Sequence, residues 1–203
     1  MPKLEDATRP ARKILPIIYV IDTSGSMAGT RIEAVNQAMA ETICIINEIS
    51  TRYPPAELKI GVLQFASCAS WVHGGLVSID DFYWDDLTAG GLSDLGAALD
   101  ELHERLSSNS FLRGEVGYKP PVLIFMSDGD PTDDYKSALK NISDNNKWFR
   151  LSEKICIAVD SDSDVEVLQE IAGGGDKAKG RECVIQVSEL EYLKKLIMRP
   201  AIS

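Results

Sequence analysis

Residues 14–27 read ILPIIYVIDTSGSM, an apolar run that ends in a carboxylate and is followed by closely spaced hydroxyls. The apolar part predicts a strand over residues 14–21 that is buried on both faces. Asp22, Ser24 and Ser26 would then lie on a loop at its carboxyl end, where open α/β sheets place their ligand sites. Oxygen-only side chains suit a hard divalent cation such as Mg²⁺. Asp and Ser are also good helix caps, and this stretch alone leaves both interpretations open.

The composition indicates a globular, acidic chain. Of the 203 residues, 44% are hydrophobic and 26% are charged, and the formal net charge is −10. Nucleic acids and anionic membranes bind basic surfaces, so we expect neither as a partner. The longest apolar runs are also much shorter than the roughly 20 residues that span a bilayer.

The N-terminal segment and the cysteines bear on location. Residues 1–13 are polar and lack the apolar stretch of a secretory signal, so we expect a flexible leader before a single domain at residues 14–203. The cysteines show no metal-ligand spacing such as C-x-x-C. Cys44, Cys156 and Cys183 lie in apolar segments and are expected in the core. We therefore predict a cytoplasmic protein with reduced thiols.

Strands and helices are predicted to alternate along the rest of the chain. Helices are expected at residues 31–52, 95–106, 133–149, 165–172 and 190–198, and further strands at 58–66, 71–77, 121–126, 154–159 and 183–187. The strand at 71–77 contains Gly74 and Gly75, so an edge position in a hairpin is expected. This order predicts a three-layer, doubly wound, Rossmann-like α/β fold. Its six-stranded sheet would be mostly parallel, with one antiparallel edge strand and helices on both faces.

Two further loops carry oxygen ligands. Residues 90–94 read GGLSD and contain Ser93, and residues 127–129 read SDG and contain Asp128. A doubly wound sheet can bring these loops and the first one to the same carboxyl edge. One cation could then contact two carboxylates and three hydroxyls, a reasonable set of ligands for Mg²⁺.

The motifs DTSGS at residue 22, GGLSDLGAAL at residue 90 and SDG at residue 127 resemble those of the von Willebrand factor A domain with its metal-ion-dependent adhesion site. The resemblance extends from about residue 14 to residue 198. It implies that Asp22, Ser24, Ser26, Ser93 and Asp128 bind Mg²⁺, or else Mn²⁺ or Ca²⁺. Ser93 stands where the family usually has Thr; it keeps the hydroxyl but lacks the methyl group that restricts the rotamer.

The resemblance also implies a function: the cation binds an acidic residue of a partner protein, and the domain is not an enzyme. The short, acidic layout is similar to the TerY-like proteins of bacterial tellurite-resistance and stress-response clusters. That similarity implies a protein kinase or a PP2C-type phosphatase as the partner. Asp94, Asp130, Asp133 and Asp134 would partly repel an acidic partner. For Asp133 and Asp134, we expect instead that they favour the first turn of the next helix.

Two alternatives remain open at this point. One is a Mg²⁺-dependent phosphohydrolase, although a haloacid-dehalogenase-type site needs a second Asp where this chain has Ser24, and Arg31 is the one basic residue close to the motif loops. The other is a structural domain whose site binds no metal. Trp71, Tyr83 and Trp84 could form a recognition patch, but core or edge packing is the commoner role of such residues.

Overall fold

The computed structural model describes residues 13–52, 57–113, 117–160, 163, 165–180 and 184–187. Within these residues six strands and six α-helices alternate, with a short 3-10 turn at Gly25–Met27. The strands are β1 Ile14–Asp22, β2 Glu57–Phe65, β3 Ala69–Ser78, β4 Val122–Ser127, β5 Glu153–Val159 and β6 Val184–Val187. The helices are α1 Thr30–Arg52, α2 Leu95–Arg105, α3 Tyr135–Asn145, α4 Lys147–Leu151, α5 Val165–Ala172 and α6 Lys177–Gly180.

The strands form one sheet in the order β3-β2-β1-β4-β5-β6. All neighbouring strands are parallel except β3, which pairs antiparallel with β2 at the edge. This confirms the predicted fold class, including the antiparallel edge strand. The chain moves from β1 to one side of the sheet through β2, and later to the other side through β4. The crevice between the carboxyl ends of β1 and β4 is therefore the topological switch point, where ligands of such folds bind.

The central strand β1 packs against both layers of helices. Ile17, Tyr19 and Ile21 belong to a buried cluster with α1, while Ile18 and Val20 belong to a second buried cluster with α2, α3 and α5. Successive side chains of a strand point to opposite faces of the sheet, so an uninterrupted apolar run is what a doubly covered strand requires. The packing holds the end of β1, and hence Asp22, in a fixed position.

The helix predicted over residues 133–149 is wrong, because the chain breaks at Asn146 into α3 and α4. Asn146 has an extended backbone (φ −107°, ψ 109°), and its side-chain oxygen accepts a hydrogen bond from the Phe149 backbone N–H at 3.0 Å. Its side-chain amide donates to the carbonyls of His103 and Leu106 at 3.1 and 3.0 Å. Asn146 thus caps α4 and connects it to the end of α2. Asparagine is more favourable at a helix cap than inside a helix, so the chain breaks here.

The cysteine prediction is partly wrong. Cys156 is buried as expected, but Cys44 is exposed on α1, as is Cys68 in the β2–β3 turn. Cys183, the leader at residues 1–12 and the predicted helix at 190–198 lie outside the described residues. Among the helices that are described, none combines the length and the hydropathy that crossing a bilayer would require.

Candidate metal centre

Asp22 lies at the end of β1 and has no exposed surface. Its Oδ1 accepts a hydrogen bond from the Ser24 backbone N–H at 2.8 Å. Its Oδ2 accepts from the Ser93 hydroxyl at 3.1 Å and from the Ser127 hydroxyl at 2.8 Å. One carboxylate therefore joins the three loops that the sequence placed at this edge of the sheet.

The two remaining residues of the first motif do not cap a helix through their side chains. The Ser24 and Ser26 hydroxyls lie 3.0 Å apart, with Ser24 buried and Ser26 exposed. Ser24 precedes the 3-10 turn without a side-chain capping bond, and α1 starts only at Thr30. The capping interpretation of Asp22 and Ser24 is therefore wrong for α1, and both hydroxyls keep lone pairs for another ligand.

Backbone hydrogen bonds dock the Ser93 loop onto the first loop. The Gly90 N–H donates to the Thr23 carbonyl at 2.8 Å, and the Gly25 N–H donates to the Gly91 carbonyl at 3.0 Å. Gly91 has a φ of 89°, and a Cβ there would lie 2.7 Å from the Ser67 hydroxyl, so only glycine fits comfortably. This close approach is what brings the Ser93 hydroxyl to Asp22.

Asp128 is the second carboxylate, on the loop after β4, and it is 6% exposed. Its Oδ2 accepts a hydrogen bond from Nη1 of Arg31 at 3.0 Å. Its Oδ1 is buried and has no hydrogen-bond partner. A buried acceptor without a partner is uncommon and points to a missing ion or water, so this atom is available to a cation.

The two carboxylates give the centre a negative electrostatic potential. Burial raises the pKa of Asp22 above its ordinary value, and the charge of Asp128 raises it further, while hydrogen bonds from Ser24 and Ser127 oppose the shift. A raised pKa means that the surroundings disfavour the negative charge on Asp22. A bound cation would reverse this effect, because it places positive charge beside both carboxylates.

The candidate ligand atoms would suit a hard divalent cation. They are the carboxylates of Asp22 and Asp128 and the hydroxyls of Ser24, Ser26 and Ser93, without sulfur or imidazole. Carboxylate, hydroxyl and water oxygens suit Mg²⁺, Mn²⁺ or Ca²⁺ rather than Zn²⁺. The described part of the chain has no group of three or more His, Cys, Asp or Glu side chains that could hold a metal ion, so a cation here would need the serine hydroxyls as well as the two carboxylates.

Sequence reasoning did not assign three residues that organise the site. Ser127 donates to Asp22 and accepts from the Gly129 N–H at 2.8 Å. The Thr132 hydroxyl accepts from the Ser93 N–H and donates to Asp94, both at 3.1 Å. Arg31 is the third. The signal for Ser127 was its place beside Asp128 at the end of β4, whereas nothing local indicated Thr132.

The four nearby acids have different roles. Asp134 caps α3 as expected, and hydrogen bonds from the Ser137 side chain and backbone lower its pKa. Asp133 instead caps α2, accepting from the Gly96 and Ala97 N–H groups at 3.0 and 3.1 Å, so its assignment to the next helix is wrong. Asp94 accepts from Thr132, and Asp130 is exposed. Asp133 is therefore engaged in capping α2.

The aromatic side chains do not form a single patch. Trp71 donates to Glu101 at 2.8 Å and packs against the cluster of buried residues around α2. Trp84 packs on the opposite face of the sheet with the α1 cluster. Only Tyr83 is well exposed, at 60%, and its ring lies 4.2 Å from that of His73. The packing role thus accounts for both tryptophans.

Comparison with solved structures supports the same fold. A VWA2 protein from Sulfolobus acidocaldarius, an ArnB paralog, has a TM-score of 0.63 at 18% identity, covering 93% of this chain and 45% of its own. The pilus adhesin SpaC from Lactobacillus rhamnosus GG has a TM-score of 0.66 at 13% identity, covering 96% and 30%. A von Willebrand factor type A protein from Catenulispora acidiphila has a TM-score of 0.61 at 14% identity, covering 94% and 42%.

The chain thus spans less than half the length of these three structures. A comparison with curated proteins gave no match. A family model for the von Willebrand factor type A domain matches residues 17–199, which is most of the sequence. This match agrees with the sheet order and the three motif loops, and the chain belongs to the von Willebrand factor type A domain family.

Proposed function

We propose that this chain is a metal-dependent protein-interaction module that binds an acidic side chain of a partner protein. The observation that carries the proposal is the Oδ1 of Asp128, which is buried and has no hydrogen-bond partner. Asp128 lies on the loop after β4, whose Ser127 donates to Asp22, and Asp22 also accepts from Ser93 on a further loop. Asp22, Ser24, Ser26, Ser93 and Asp128 would hold Mg²⁺, or Mn²⁺ or Ca²⁺. The cation would supply a positive centre for a carboxylate of the partner.

The residues of this chain would act as a rigid, incomplete set of ligands. The hydroxyl of Ser93 donates its proton to Asp22, which leaves the oxygen lone pairs for the cation. Ser26 is exposed, so the site opens to solvent on the side of the first loop. A divalent cation such as Mg²⁺ that is held by two carboxylates and a few hydroxyls keeps water in its remaining coordination positions, and a partner carboxylate would replace one of these waters.

The geometry does not favour the phosphohydrolase alternative. Asp22 is the strand-end carboxylate that would have to attack phosphorus, yet it is fully buried and both of its oxygens accept hydrogen bonds. Ser24 occupies the position of the second acid, with its hydroxyl 3.0 Å from Ser26. The cytoplasmic, TerY-like setting and the kinase or PP2C-type phosphatase partner stay predictions from the sequence.

The proposal is tested by panning a random peptide library against the purified protein in Mg²⁺ and eluting with EDTA. Enriched peptides should contain Asp or Glu, and replacing that residue by Asn or Gln should abolish binding. Asp128→Asn should lose both the peptides and Mg²⁺ binding in calorimetry. Glu104→Gln is the matched control. It also removes one negative charge, but at an exposed position near the C-terminal end of α2, whereas the Ser93 loop precedes the N-terminal end.

The proposal is wrong if EDTA elutes no peptides enriched in Asp or Glu, or if Asp128→Asn retains the selected peptides. Retention by Glu104→Gln and loss by Asp128→Asn would show that the effect depends on the position of the charge. A change in net charge alone would affect both variants similarly.

A further inference from the structure

Arg31 occupies an electrostatically unfavourable position. It is the second residue of α1, and the N-terminal end of a helix disfavours cations. Its side chain is nevertheless 20% exposed, so most of it is withdrawn from water. A half-buried arginine in this position needs anionic partners, and the described contacts include two of them.

The guanidinium lies between carboxylates from two neighbouring strands. Nη1 is 3.0 Å from Oδ2 of Asp128 after β4, and Nε is 3.4 Å from Oδ2 of Asp160 after β5. Nη1 also donates to the Ser26 carbonyl at 3.0 Å. Arg31 therefore contacts two of the five proposed metal ligands, Asp128 and Ser26, and one acid that is not a proposed ligand.

Asp160 is suited to serve as an alternative partner. It is 41% exposed, and its backbone has a φ of 90°, a left-handed conformation that is unusual for a residue other than glycine. This conformation is compatible with the observed approach of its side chain to Arg31. The arginine can thus release Asp128 and still keep an anionic partner within reach.

We propose that Arg31 is a built-in competitor of the divalent cation, and that Asp160 retains the arginine when the cation takes Asp128. This inference rests on the proposed function, since it assigns a regulator to the same site. A guanidinium that contacts Asp128 and a divalent cation bound by the same carboxylate repel each other. Arg31 therefore lowers the affinity for the cation, and occupancy responds to the cation concentration instead of being permanent.

The test is calorimetric titration of Mg²⁺ and Mn²⁺ into the wild type, Arg31→Gln, Asp160→Asn and the double variant. Arg31→Gln should bind the cation about tenfold more tightly, because one like charge is removed beside a ligand. Asp160→Asn should bind the cation more weakly, because Arg31 loses its ion pair with Asp160 and depends more on Asp128. Arg31→Lys retains the charge and should stay closer to the wild type than Arg31→Gln.

The double variant separates this mechanism from a general effect of charge. If Asp160 acts through Arg31, the Asp160→Asn substitution should have little effect once Arg31 is Gln. Equal effects of Asp160→Asn in both backgrounds would contradict the coupling. Melting temperatures in EDTA identify any variant that fails to fold. If Arg31→Gln fails to fold, the cation affinities of Arg31→Lys and the wild type are compared instead.

The two proposals fail in different ways. If the wild type binds the cation and Arg31→Gln binds it equally or more weakly, Arg31 is not a competitor, and the proposed function is unaffected. If only Arg31→Gln binds the cation, the competition is supported and the wild-type chain is not a metal-dependent module under those conditions. If neither binds, both proposals are wrong.

Discussion

Asp22 places a negative charge where its side chain has no exposed surface. Three hydrogen bonds from Ser24, Ser93 and Ser127 compensate in part, yet the pKa of Asp22 is still raised, chiefly by burial. A folded protein that holds a proton more tightly than the unfolded chain loses stability as that proton leaves. Asp22 without a cation should therefore reduce stability near neutral pH.

In EDTA, we expect the free energy of unfolding of the Asp22→Asn variant to increase relative to that of the wild type as the pH rises. Below the ordinary Asp pKa of 3.8, the carboxyl is protonated in both the folded and the unfolded wild type, so no penalty arises from its charge. The penalty develops as the pH rises through the folded pKa, and Asn has no such titration. Urea denaturation between pH 3 and 7 measures the difference in the free energy of unfolding.

Glu104→Gln, at an exposed position of α2, should show no comparable trend. A difference between Asp22→Asn and the wild type that is constant across this pH range would contradict the expectation. Saturating Mg²⁺ should reverse the order of stability at pH 7, since the Asn variant lacks one anionic ligand.

At the residue scale, the sequence was informative where the chemistry is local. Asp22, Ser24 and Ser26 lie on one loop, so their proximity follows from the spacing alone. Arg31 could not be placed in the same way, because a long side chain at the start of a helix can reach several acceptors. Its choice of Asp128 and Asp160 depends on how β4 and β5 lie beside β1.

At the scale of elements, polar side chains connect one helix to another. Asp133 follows β4 but caps α2, and Asn146 joins the end of α2 to the start of α4. The sequence predicted helices in these regions because the apolar periodicity continues through them. It did not predict the break at Asn146 or the partner of Asp133, because both depend on where α2 packs against α3.

We expect Asn146→Ala to reduce the free energy of unfolding by roughly 2–4 kcal/mol. The substitution removes the cap of α4 and leaves two carbonyls, of His103 and Leu106, without this donor; Asn146 itself is 6% exposed. Urea denaturation at constant pH measures the change.

Asn145→Ala is the matched control for this prediction. It makes the same substitution one residue earlier, where the side chain is exposed and bonds only to Asn141 among the described contacts. The control should change stability by about 0.5 kcal/mol or less. Equal losses in the two variants would show that Asn146 does not carry the connection between α2 and α4.

At the scale of the whole molecule, the order of the strands determines where the site is. β1 lies in the middle of the sheet, and the chain leaves it on opposite sides through β2 and β4. The motif loops after β1 and β4 therefore meet at the switch point, and the Ser93 loop joins them through Thr23 and Gly25. The alternation of strands and helices predicted a doubly wound sheet that could bring these loops to one edge. It did not predict the order of the strands, which the structure supplies.

A cation that binds ligands on three separate loops should stabilise the whole fold, because the unfolded chain does not hold these ligands together. Mg²⁺ at about 100 times its dissociation constant should add about 2.7 kcal/mol. For a chain of this size, that corresponds to an increase of about 5–10 °C in melting temperature. Differential scanning calorimetry with Mg²⁺ and with EDTA measures it.

The net charge of −10 requires a control in this experiment, since any salt partly screens the repulsion among acidic residues. KCl at the same ionic strength should give only a small increase, and Asp128→Asn should respond to Mg²⁺ no more than to KCl. The wild type should respond to Mg²⁺ in a saturable manner. If Asp128→Asn shows the same saturable increase, the stabilising cation binds elsewhere on the acidic surface, and the centre formed by Asp22 and Asp128 is not its site.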